Sequence, residues 1–349
     1  FADRLRETVG DRCLIARLGG DEFVVVPNSP MTAEAARELA TELQSALRER
    51  VSIDGEMLTR TVSIGVALGT PGQDSTSDLL RKAGHAVLNA KNDGGNVIAV
   101  YSEDLALKAA FRNDIELHLQ GVVESDALVL HYLPEIDMRT GEVLATEALV
   151  RWQHPTRGLL LPDSFIGVAE SINLAGELGR WVMRRACAEF SSWRARGIGQ
   201  HATLRLNVSP VQLVSEGFAE AVAETLADFD LPGESVCLEI TESLVVQDIE
   251  TTRITLAALK EVGVQIAIDD FGTGYSVLTH LKSLPVDTLK IDRSFVRDLG
   301  ENAGDLAIVR AVIALADAFG LAVVAEGVET SAAAEILLRL SAGKAGPAN

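Results

Sequence analysis

Hydrophobic and polar positions alternate along the first hundred residues between strand-like and helix-like spacing. Apolar runs at 13–18 and 23–26 flank the tight sequence Gly19-Gly20-Asp21-Glu22 and predict a β-hairpin. Apolar residues recur at helical spacing over 32–50, with Glu and Arg between them. The same reasoning predicts a strand at 61–68, a helix at 77–91 and a closing strand at 96–101. This part of the chain is therefore expected to form a small α/β unit.

Residues 103–119 are polar with helical spacing. Two interpretations fit this pattern equally well. The segment is either a helical linker into a second domain or the first helix of that domain.

From about residue 128 the pattern becomes a long series of strands and helices. Apolar strands are predicted at 128–133, 143–150, 203–208, 236–240, 264–268, 288–291 and 322–325, with helices at 177–196, 219–229, 252–262 and 307–319. Repeated βα units with buried parallel strands favour a (β/α) barrel of the TIM type. In such a barrel the chemistry lies just past the carboxyl ends of the strands, so the residues at those positions are the candidates for a site.

The length of the chain indicates the number of domains, and its net charge limits the partners it can bind. The 349 residues suggest two domains or one large one, at ~150 residues per domain. The chain holds 31 Lys and Arg against 50 Asp and Glu, a net charge of −19. Such a surface repels a polyphosphate backbone, so neither DNA nor RNA is expected as a partner. A small anion would need local cations or metal ions to hold it.

The cysteines and the first residue of the chain are relevant to the cellular compartment of the protein. Cys13, Cys187 and Cys237 are odd in number and too widely spaced for a CxxC site, so we expect reduced core residues in a cytoplasmic protein. No run reaches the ~18–20 apolar residues of a membrane helix, and no signal peptide is present. Because the chain begins with Phe1, we expect a piece of a longer protein, and a membrane anchor upstream stays open.

Polar side chains follow nearly every predicted strand of the second half. They are Glu147, Asn207, Glu239 with Glu242, Asp269 with Asp270, Lys290 with Asp292, and Glu326 with Glu329. A single acidic residue after a strand is more often a helix N-cap or a solvated loop residue. Six strand ends that share the property favour a site, and converging carboxylates persist only when cations neutralise them. Oxygen ligands without His or Cys suit Mg²⁺ or Mn²⁺ rather than zinc.

The adjacent pair Asp269-Asp270 is the sharpest local pattern. One carboxylate of such a pair can bridge two metal ions while its neighbour holds the second. The alternative is a turn-initiating pair before Phe271-Gly272, which the spacing alone leaves open.

These residues carry a resemblance to known families. The motifs Glu147-Ala148-Leu149, Asn207, Leu238-Glu239-Ile240-Thr241-Glu242-Ser243, Asp269-Asp270-Phe271-Gly272-Thr273-Gly274-Tyr275-Ser276, Leu289-Lys290-Ile291-Asp292-Arg293-Ser294-Phe295 and Ala325-Glu326-Gly327-Val328-Glu329-Thr330 resemble, in order, the EAL family of cyclic di-GMP phosphodiesterases. The match runs from about residue 119 to 340. The first hundred residues resemble the C-terminal part of a GGDEF diguanylate cyclase domain, through Arg17-Leu18-Gly19-Gly20-Asp21-Glu22-Phe23, Ser63-Ile64-Gly65-Val66 and Ala90-Lys91.

The EAL resemblance implies a two-metal hydrolysis of cyclic di-GMP to linear pGpG, with Mg²⁺ or Mn²⁺. The implied metal ligands are Glu147, Asn207, Glu239 and Asp269 for one ion, and Asp269 with Asp270 for the other. Glu326 matches the presumed general base, and Lys290 orients the water or stabilises charge at the centre. Arg151 and Leu149 are implied to contact the substrate, Glu242 to hold the loop at 269–276, and Glu329 to support the site.

Two departures from the EAL pattern stand out. Leu133 occupies the position where the family usually has a nucleotide-binding Gln after the tyrosine of its first strand. The family also continues past residue 340 with another strand and a Gln-Gly-Tyr segment. We therefore expect a C-terminally truncated barrel with a disordered tail at 341–349, less stable and less active than an intact relative.

The GGDEF resemblance is less complete. The N-terminal half of that domain is missing, Gly10-Asp11-Arg12-Cys13 stands where an RxxD inhibitory motif would be, and Ala83-Gly84 replaces an Ala-Asp pair. Gly19, Gly20, Asp21 and Glu22 are still implied to approach phosphates and a metal, and Lys91 a phosphate of GTP. Half of a nucleotide site is not expected to condense GTP.

The sequence thus predicts four segments and one leading function. The segments are a partial GGDEF-like domain at 1–103, a linker helix at 104–120, an EAL-like barrel at 121–340 and a tail at 341–349. The leading hypothesis is a cyclic di-GMP phosphodiesterase with an inactive or regulatory GGDEF remnant. The alternative is a receptor module that binds cyclic di-GMP without cleaving it, and a third is a scaffold that forms a homodimer.

Overall fold

The structure, a computed structural model, describes residues 1–48, 50–53, 56–59, 61–70, 72–92, 94–242, 249–272 and 281–342. The chain divides into two compact units, Phe1–Ile115 and Glu116–Asn349. Each unit is described separately below.

The first unit begins with the predicted hairpin. Strands β1 (Cys13–Gly19) and β2 (Glu22–Pro27) pair in antiparallel fashion and place the Gly20-Asp21 turn at their tip. Helices α1 (Ala2–Val9) and α2 (Ala33–Leu47) pack beside them. Their buried residues form one core with the hairpin, made of Leu5, Val9, Cys13, Leu39, Leu43 and Leu47.

A parallel strand pair completes the first unit. Strand β5 (Ile64–Val66) pairs with β6 (Ile98–Val100), and helix α3 (Thr76–Asn92) connects them. The backbone of α3 approaches Gly65 closely, since a Cβ there would lie 2.3 Å from the carbonyl oxygen of Ala83.

A short hairpin of β3 (Arg50–Ile53) and β4 (Glu56–Thr59) was not predicted from the pattern. Helix α4 covers Glu103–Leu119 without a break.

The second unit is built on a curved sheet of eight strands in the order β14-β13-β12-β11-β10-β8-β7, with β9 paired to β8. The strands are β7 (Leu128–Ile136), β8 (Val143–His154), β9 (Gly158–Leu160), β10 (Thr203–Asn207), β11 (Val236–Thr241), β12 (Gln265–Phe271), β13 (Thr288–Ile291) and β14 (Ala322–Ala325). The helices are α5 (Ile166–Ser171), α6 (Ala175–Ala195), α7 (Pro210–Leu213), α8 (Phe218–Asp228), α9 (Ile249–Val262), α10 (Arg293–Arg297), α11 (Ala303–Phe319) and α12 (Ser331–Ala342). Strands β8 and β10 to β14 run parallel along this sheet, which confirms the TIM-like α/β barrel class.

One strand departs from the predicted parallel series. Strand β7 pairs with β8 in antiparallel fashion, with Leu133 opposite Glu147. A parallel pair needs a crossover of a dozen or more residues, whereas only the link 137–142 separates these strands. That link is a tight turn, in which Asp137 accepts from the backbone N–H of Arg139 at 2.7 Å.

Alternation along the strands sorts side chains between two faces. Leu238 and Ile240 of β11 belong to the hydrophobic core that the sheet shares with its helices. The residue between them, Glu239, therefore points to the inside of the curved sheet. The same alternation on β13 places Lys290 inside, between Leu289 and Ile291 of the core.

Helix α12 ends the described chain. It includes residues 341 and 342, and the remainder of the predicted tail, 343–349, lies outside the described residues. Across the part of the chain that the structure describes, no helix combines the length and apolar character that a membrane crossing requires.

Candidate active site

A buried lysine surrounded by carboxylates forms the centre of the candidate site. Lys290 Nζ lies 2.7 Å from an oxygen of Glu326, 2.8 Å from Glu239, 3.3 Å from Asp269 and 3.6 Å from Glu147. The lysine is 1% exposed. The structure thus brings together four acidic residues that are separated by up to 179 positions in sequence, 147 to 326.

Parallel strands place these side chains at one rim. Asn207 and Glu239 are register partners on β10 and β11, and Thr241 pairs with Asp269 on β12. The amide of Asn207 donates to Glu147 Oε1 at 2.7 Å. Carboxyl ends of neighbouring parallel strands meet at the same edge, so strand register alone gathers the cluster.

The backbone at Asp270 turns two adjacent carboxylates toward the same place. Asp270 has a φ of 54°, in the left-handed region that Asp tolerates better than most residues. Its N–H donates to Asp269 Oδ1 at 3.0 Å. Ligand oxygens of Asp269, Asp270 and Glu326 all lie within 4.8 Å of one another. The two adjacent carboxylates and that of Glu326 are thus close enough together to hold one metal ion.

Glu242 anchors the start of the loop that follows. Its Oε2 accepts from the N–H of Gly272 at 3.0 Å, and its side chain is buried. The loop-holding role that the resemblance implied for Glu242 needs a contact of this kind, and the role itself stays a prediction. Residues 273–276 of that loop lie outside the described residues.

Burial and like charges shift the titration of this cluster. Burial raises the pKa of Glu239 above its ordinary value, and Glu147 and Asp269 add to the effect against the opposing Lys290. Burial also raises the pKa of Glu326. Burial would lower the pKa of Lys290, but the surrounding carboxylates outweigh it and raise that pKa. One ammonium faces several carboxylates, so the cluster holds an excess of negative charge.

The donor set fits a hard divalent cation. Glu239 Oε1 is fully buried and accepts no hydrogen bond from any described residue. The Arg205 guanidinium lies 3.6 Å from this oxygen, beyond hydrogen-bond distance. A bound metal ion would supply the close partner that such a buried oxygen lacks. The surrounding ligands are carboxylate oxygens, with the side chain of Asn207 beside them, and this is the set that Mg²⁺ and Mn²⁺ prefer.

The contacts printed for the remaining predicted residues do not reach the cluster around Lys290, although Leu133 is the register partner of Glu147. The guanidinium of Arg151 donates to the carbonyl of Val150 at 2.8 Å, and Glu329 is exposed after β14. Leu149 lies within β8, and Leu133 is 54% exposed on β7. Their implied roles stay predictions.

The GGDEF-like residues Gly19 to Glu22 form an exposed hairpin tip in the first unit, whereas Lys91 lies on helix α3. Arg17 donates from Nε and Nη2 to the carbonyl of Gly20, at 3.0 and 2.6 Å. The residues implied to approach phosphates, Gly19, Gly20, Asp21, Glu22 and Lys91, are all exposed.

Sequence reasoning missed a second charged group inside the sheet. Arg205 is 7% exposed and forms an ion pair with Glu135 at 2.8 Å. An Arg between Leu204 and Leu206 in a buried strand was a usable indication, because an unpaired charge is rarely buried.

The curved, mostly parallel sheet and the acidic rim at its carboxyl ends (Glu147, Glu239, Asp269, Asp270 and Glu326) define a TIM-like barrel protein with a carboxylate–lysine centre suited to divalent metal. Residues 116–344 match the EAL domain family, and the chain belongs to that family. Residues 1–97 match the family described as diguanylate cyclase, GGDEF domain.

Similar proteins support this assignment. The chain is 62% identical over 338 residues to an uncharacterized protein of Mycobacterium tuberculosis (Rv1354c), covering 97% of this chain and 54% of the relative. The crystal structure of the EAL domain of Mycobacterium smegmatis DcpA is 70% identical, covers 61% of this chain and 87% of its own, and superposes with a TM-score of 0.55. The PaMucR phosphodiesterase in its c-di-GMP complex is 39% identical, with coverages of 65% and 91% and a TM-score of 0.62. The chain spans about half the length of the curated relatives it matches.

Proposed function

We propose that this chain hydrolyses cyclic di-GMP with the help of divalent metal ions, opening one phosphodiester bond to give linear pGpG. The observation that carries the proposal is the cluster of four carboxylates around buried Lys290. A relative with the same domain is a phosphodiesterase whose structure contains c-di-GMP. Membership of the EAL family supports the same reaction.

The metal ligands are proposed to be the acidic residues and the asparagine at the carboxyl ends of the parallel strands. Glu147, Asn207, Glu239 and Asp269 would hold one Mg²⁺ or Mn²⁺ ion, and Asp269 with Asp270 a second. Bound divalent ions acidify a water and neutralise phosphate oxygens, which lets an acidic protein accept an anionic substrate.

Glu326 is proposed as the general base. The water oxygen forms a bond to phosphorus, one P–O ester bond breaks, and Glu326 accepts the proton that the water loses. The released ribose oxygen takes up a proton from solvent. Lys290 lies 2.7 Å from Glu326 Oε1 and keeps this carboxylate oriented toward the centre. Arg151 is proposed to contact a substrate phosphate once its guanidinium turns from Val150.

The GGDEF-like unit is proposed to act as a regulatory remnant without cyclase activity. The residues implied to approach phosphates are exposed, with Gly19, Gly20, Asp21 and Glu22 at the hairpin tip and Lys91 on α3. Incubation with GTP and Mg²⁺ should yield no cyclic di-GMP, whereas GTP binding can be measured separately by isothermal titration calorimetry.

The deciding experiment follows pGpG by chromatography after incubation with cyclic di-GMP and Mg²⁺ or Mn²⁺. Glu326→Gln and Glu147→Ala should lower turnover at least 100-fold, because they remove the base and a ligand. Glu335→Gln is the matched control, since Glu335 is 67% exposed on α12 and pairs only with Arg339 among the described residues. Binding of cyclic di-GMP without product in either metal would establish the receptor function instead.

A further inference from the structure

A second ion pair, Arg205 with Glu135, lies inside the sheet of the second unit and next to the Lys290 cluster, since Arg205 is the register partner of Glu147 on β8. Arg205 and Cys237 are register partners on β10 and β11, and Cys237 precedes Glu239 by two residues. Arg205 Nε donates to Glu135 Oε2 at 2.8 Å. Its Nη1 donates to Cys237 Sγ at 3.2 Å. Two partners therefore fix the plane of this guanidinium.

The fixed guanidinium faces Glu239 across a gap. Arg205 Nη1 lies 3.6 Å from Glu239 Oε1, beyond the ~2.7–3.2 Å of an N–H···O hydrogen bond. The other oxygen, Oε2, accepts from Lys290 at 2.8 Å. Oε1 receives no hydrogen bond from any described residue, and the side chain is 0% exposed. The positive charge thus stabilises Glu239 through space without taking its remaining oxygen.

We propose that Glu135 restrains Arg205 at this distance, so that the guanidinium offsets the charge of Glu239 and Oε1 stays open for the metal ion. Arg205 and Glu135 are then a positioning pair that acts through Glu239. This inference rests on the proposed function for the identity of the centre. A charge-assisted bond between guanidinium and carboxylate is strong, so an unrestrained Arg205 would close the gap and occupy Oε1.

The test is a titration of metal-free protein with Mn²⁺ by isothermal titration calorimetry, with no substrate present. Glu135→Ala should weaken Mn²⁺ binding about tenfold, because it frees the guanidinium. Glu135→Gln should stay within threefold of wild type, because its amide oxygen can still accept from Arg205 Nε. The double variant Glu135→Ala/Arg205→Met should return to within threefold of wild type, since it removes the competing cation and keeps the net charge unchanged.

A purely structural role of Glu135 would lower the unfolding temperature without changing Mn²⁺ affinity, whereas the positioning role changes the Mn²⁺ dependence of turnover. In the positioning role, Glu135→Ala raises the Mn²⁺ concentration for half-maximal turnover about tenfold, while kcat at saturating Mn²⁺ and KM for cyclic di-GMP stay within threefold of wild type. Lys260→Met is the matched control, because Lys260 pairs with Asp287 at 2.8 Å elsewhere in the same unit. It should lower the unfolding temperature without changing Mn²⁺ affinity.

Three outcomes would overturn the positioning pair. They are wild-type Mn²⁺ affinity in Glu135→Ala, equal weakening in Glu135→Ala and the double variant, and no Mn²⁺ uptake by the wild type. Failure of the proposed function looks different: wild type binds Mn²⁺, the variants follow the expected order, and no pGpG forms.

Discussion

Lys290 is the residue on which the charge balance of the acidic rim depends. Its ammonium contacts Glu239, Asp269 and Glu326, all within 3.3 Å. Breaking a buried ion pair by removing one partner typically costs about 3–5 kcal/mol, because the charge left behind has no compensation.

Lys290→Met should therefore destabilise the metal-free protein by about 3–5 kcal/mol. Mn²⁺ should raise its unfolding temperature more than it raises that of wild type, because the cation replaces the missing charge. Thermal unfolding with and without Mn²⁺ measures both effects. Lys282→Met, at an exposed position, is the control. An unchanged unfolding temperature in metal-free Lys290→Met would contradict the role given to this lysine.

The cysteines behave as core residues. Cys13, Cys187 and Cys237 are free and buried, as the sequence predicted. Burial raises the pKa of Cys187 to about 12, so its reactive thiolate is scarce at neutral pH.

Native protein at pH 8 should accordingly react with a thiol reagent at least 100-fold more slowly than unfolded protein. The measurement follows Ellman's reagent with and without guanidinium chloride. Cys187→Ala should leave the slow native rate unaltered and remove one thiol from the unfolded count. Rapid labelling of Cys187 in the native state would show that its helix does not shield it.

At the scale of elements, close packing in the first unit depends on one glycine. A Cβ at Gly65 would lie 2.3 Å from Ala83 O and 2.5 Å from Val87 N, both backbone atoms of α3. Strand β5 and helix α3 can therefore approach this closely only without a side chain at 65.

Gly65→Ala should destabilise the first unit by about 1–3 kcal/mol through overpacking. Gly84→Ala is the matched control on α3, because a Cβ there meets nothing within 4 Å. It should instead stabilise by about 0.5–1 kcal/mol, since Ala favours the helix. Urea unfolding of the two variants decides the matter, and equal effects would refute the packing argument.

Elements with strong periodicity were predictable, whereas pairings across the chain were not. The hairpin at 13–27 and the strands of the barrel match the pattern within a few residues. The hydrophobic pattern did not reveal that β7 is antiparallel to β8. The short link between the two strands explains this direction. The β3–β4 hairpin had an indication in the dipeptide Asp54-Gly55, which favours a two-residue turn.

The candidate site was predictable to the same extent. Inspection of the residues at the carboxyl ends of the predicted strands identified those around Lys290, because parallel strands bring these ends to a common rim. It could not identify Glu135 and Arg205, which lie 70 positions apart on β7 and β10, the two strands that flank β8. Strand register determines such contacts, and periodicity carries no information about it.

At the scale of the whole molecule, each unit has a hydrophobic core of its own. One core includes Leu5 and Leu43, and the other includes Leu238 and Ile268. The acidic rim belongs to the second unit, so the effects of metal should be confined there.

Hydrogen exchange followed by mass spectrometry should show this separation. Saturating Mn²⁺ should slow exchange in Val236–Thr241 and Gln265–Phe271, because a bound cation stabilises the folded rim. Exchange in Cys13–Pro27 should not change. Slower exchange at that hairpin without added nucleotide would show that the first unit also takes up the ion.

Protein engineering of this centre has a convenient entry point at Asp270, whose backbone is left-handed. Asp270→Asn retains both the tolerated conformation and a side-chain oxygen, while Asp270→Gly retains only the conformation. Asp270→Val loses both, since a β-branched residue is strained there. A small library at one codon can thus separate the contribution of chain shape from that of the carboxylate.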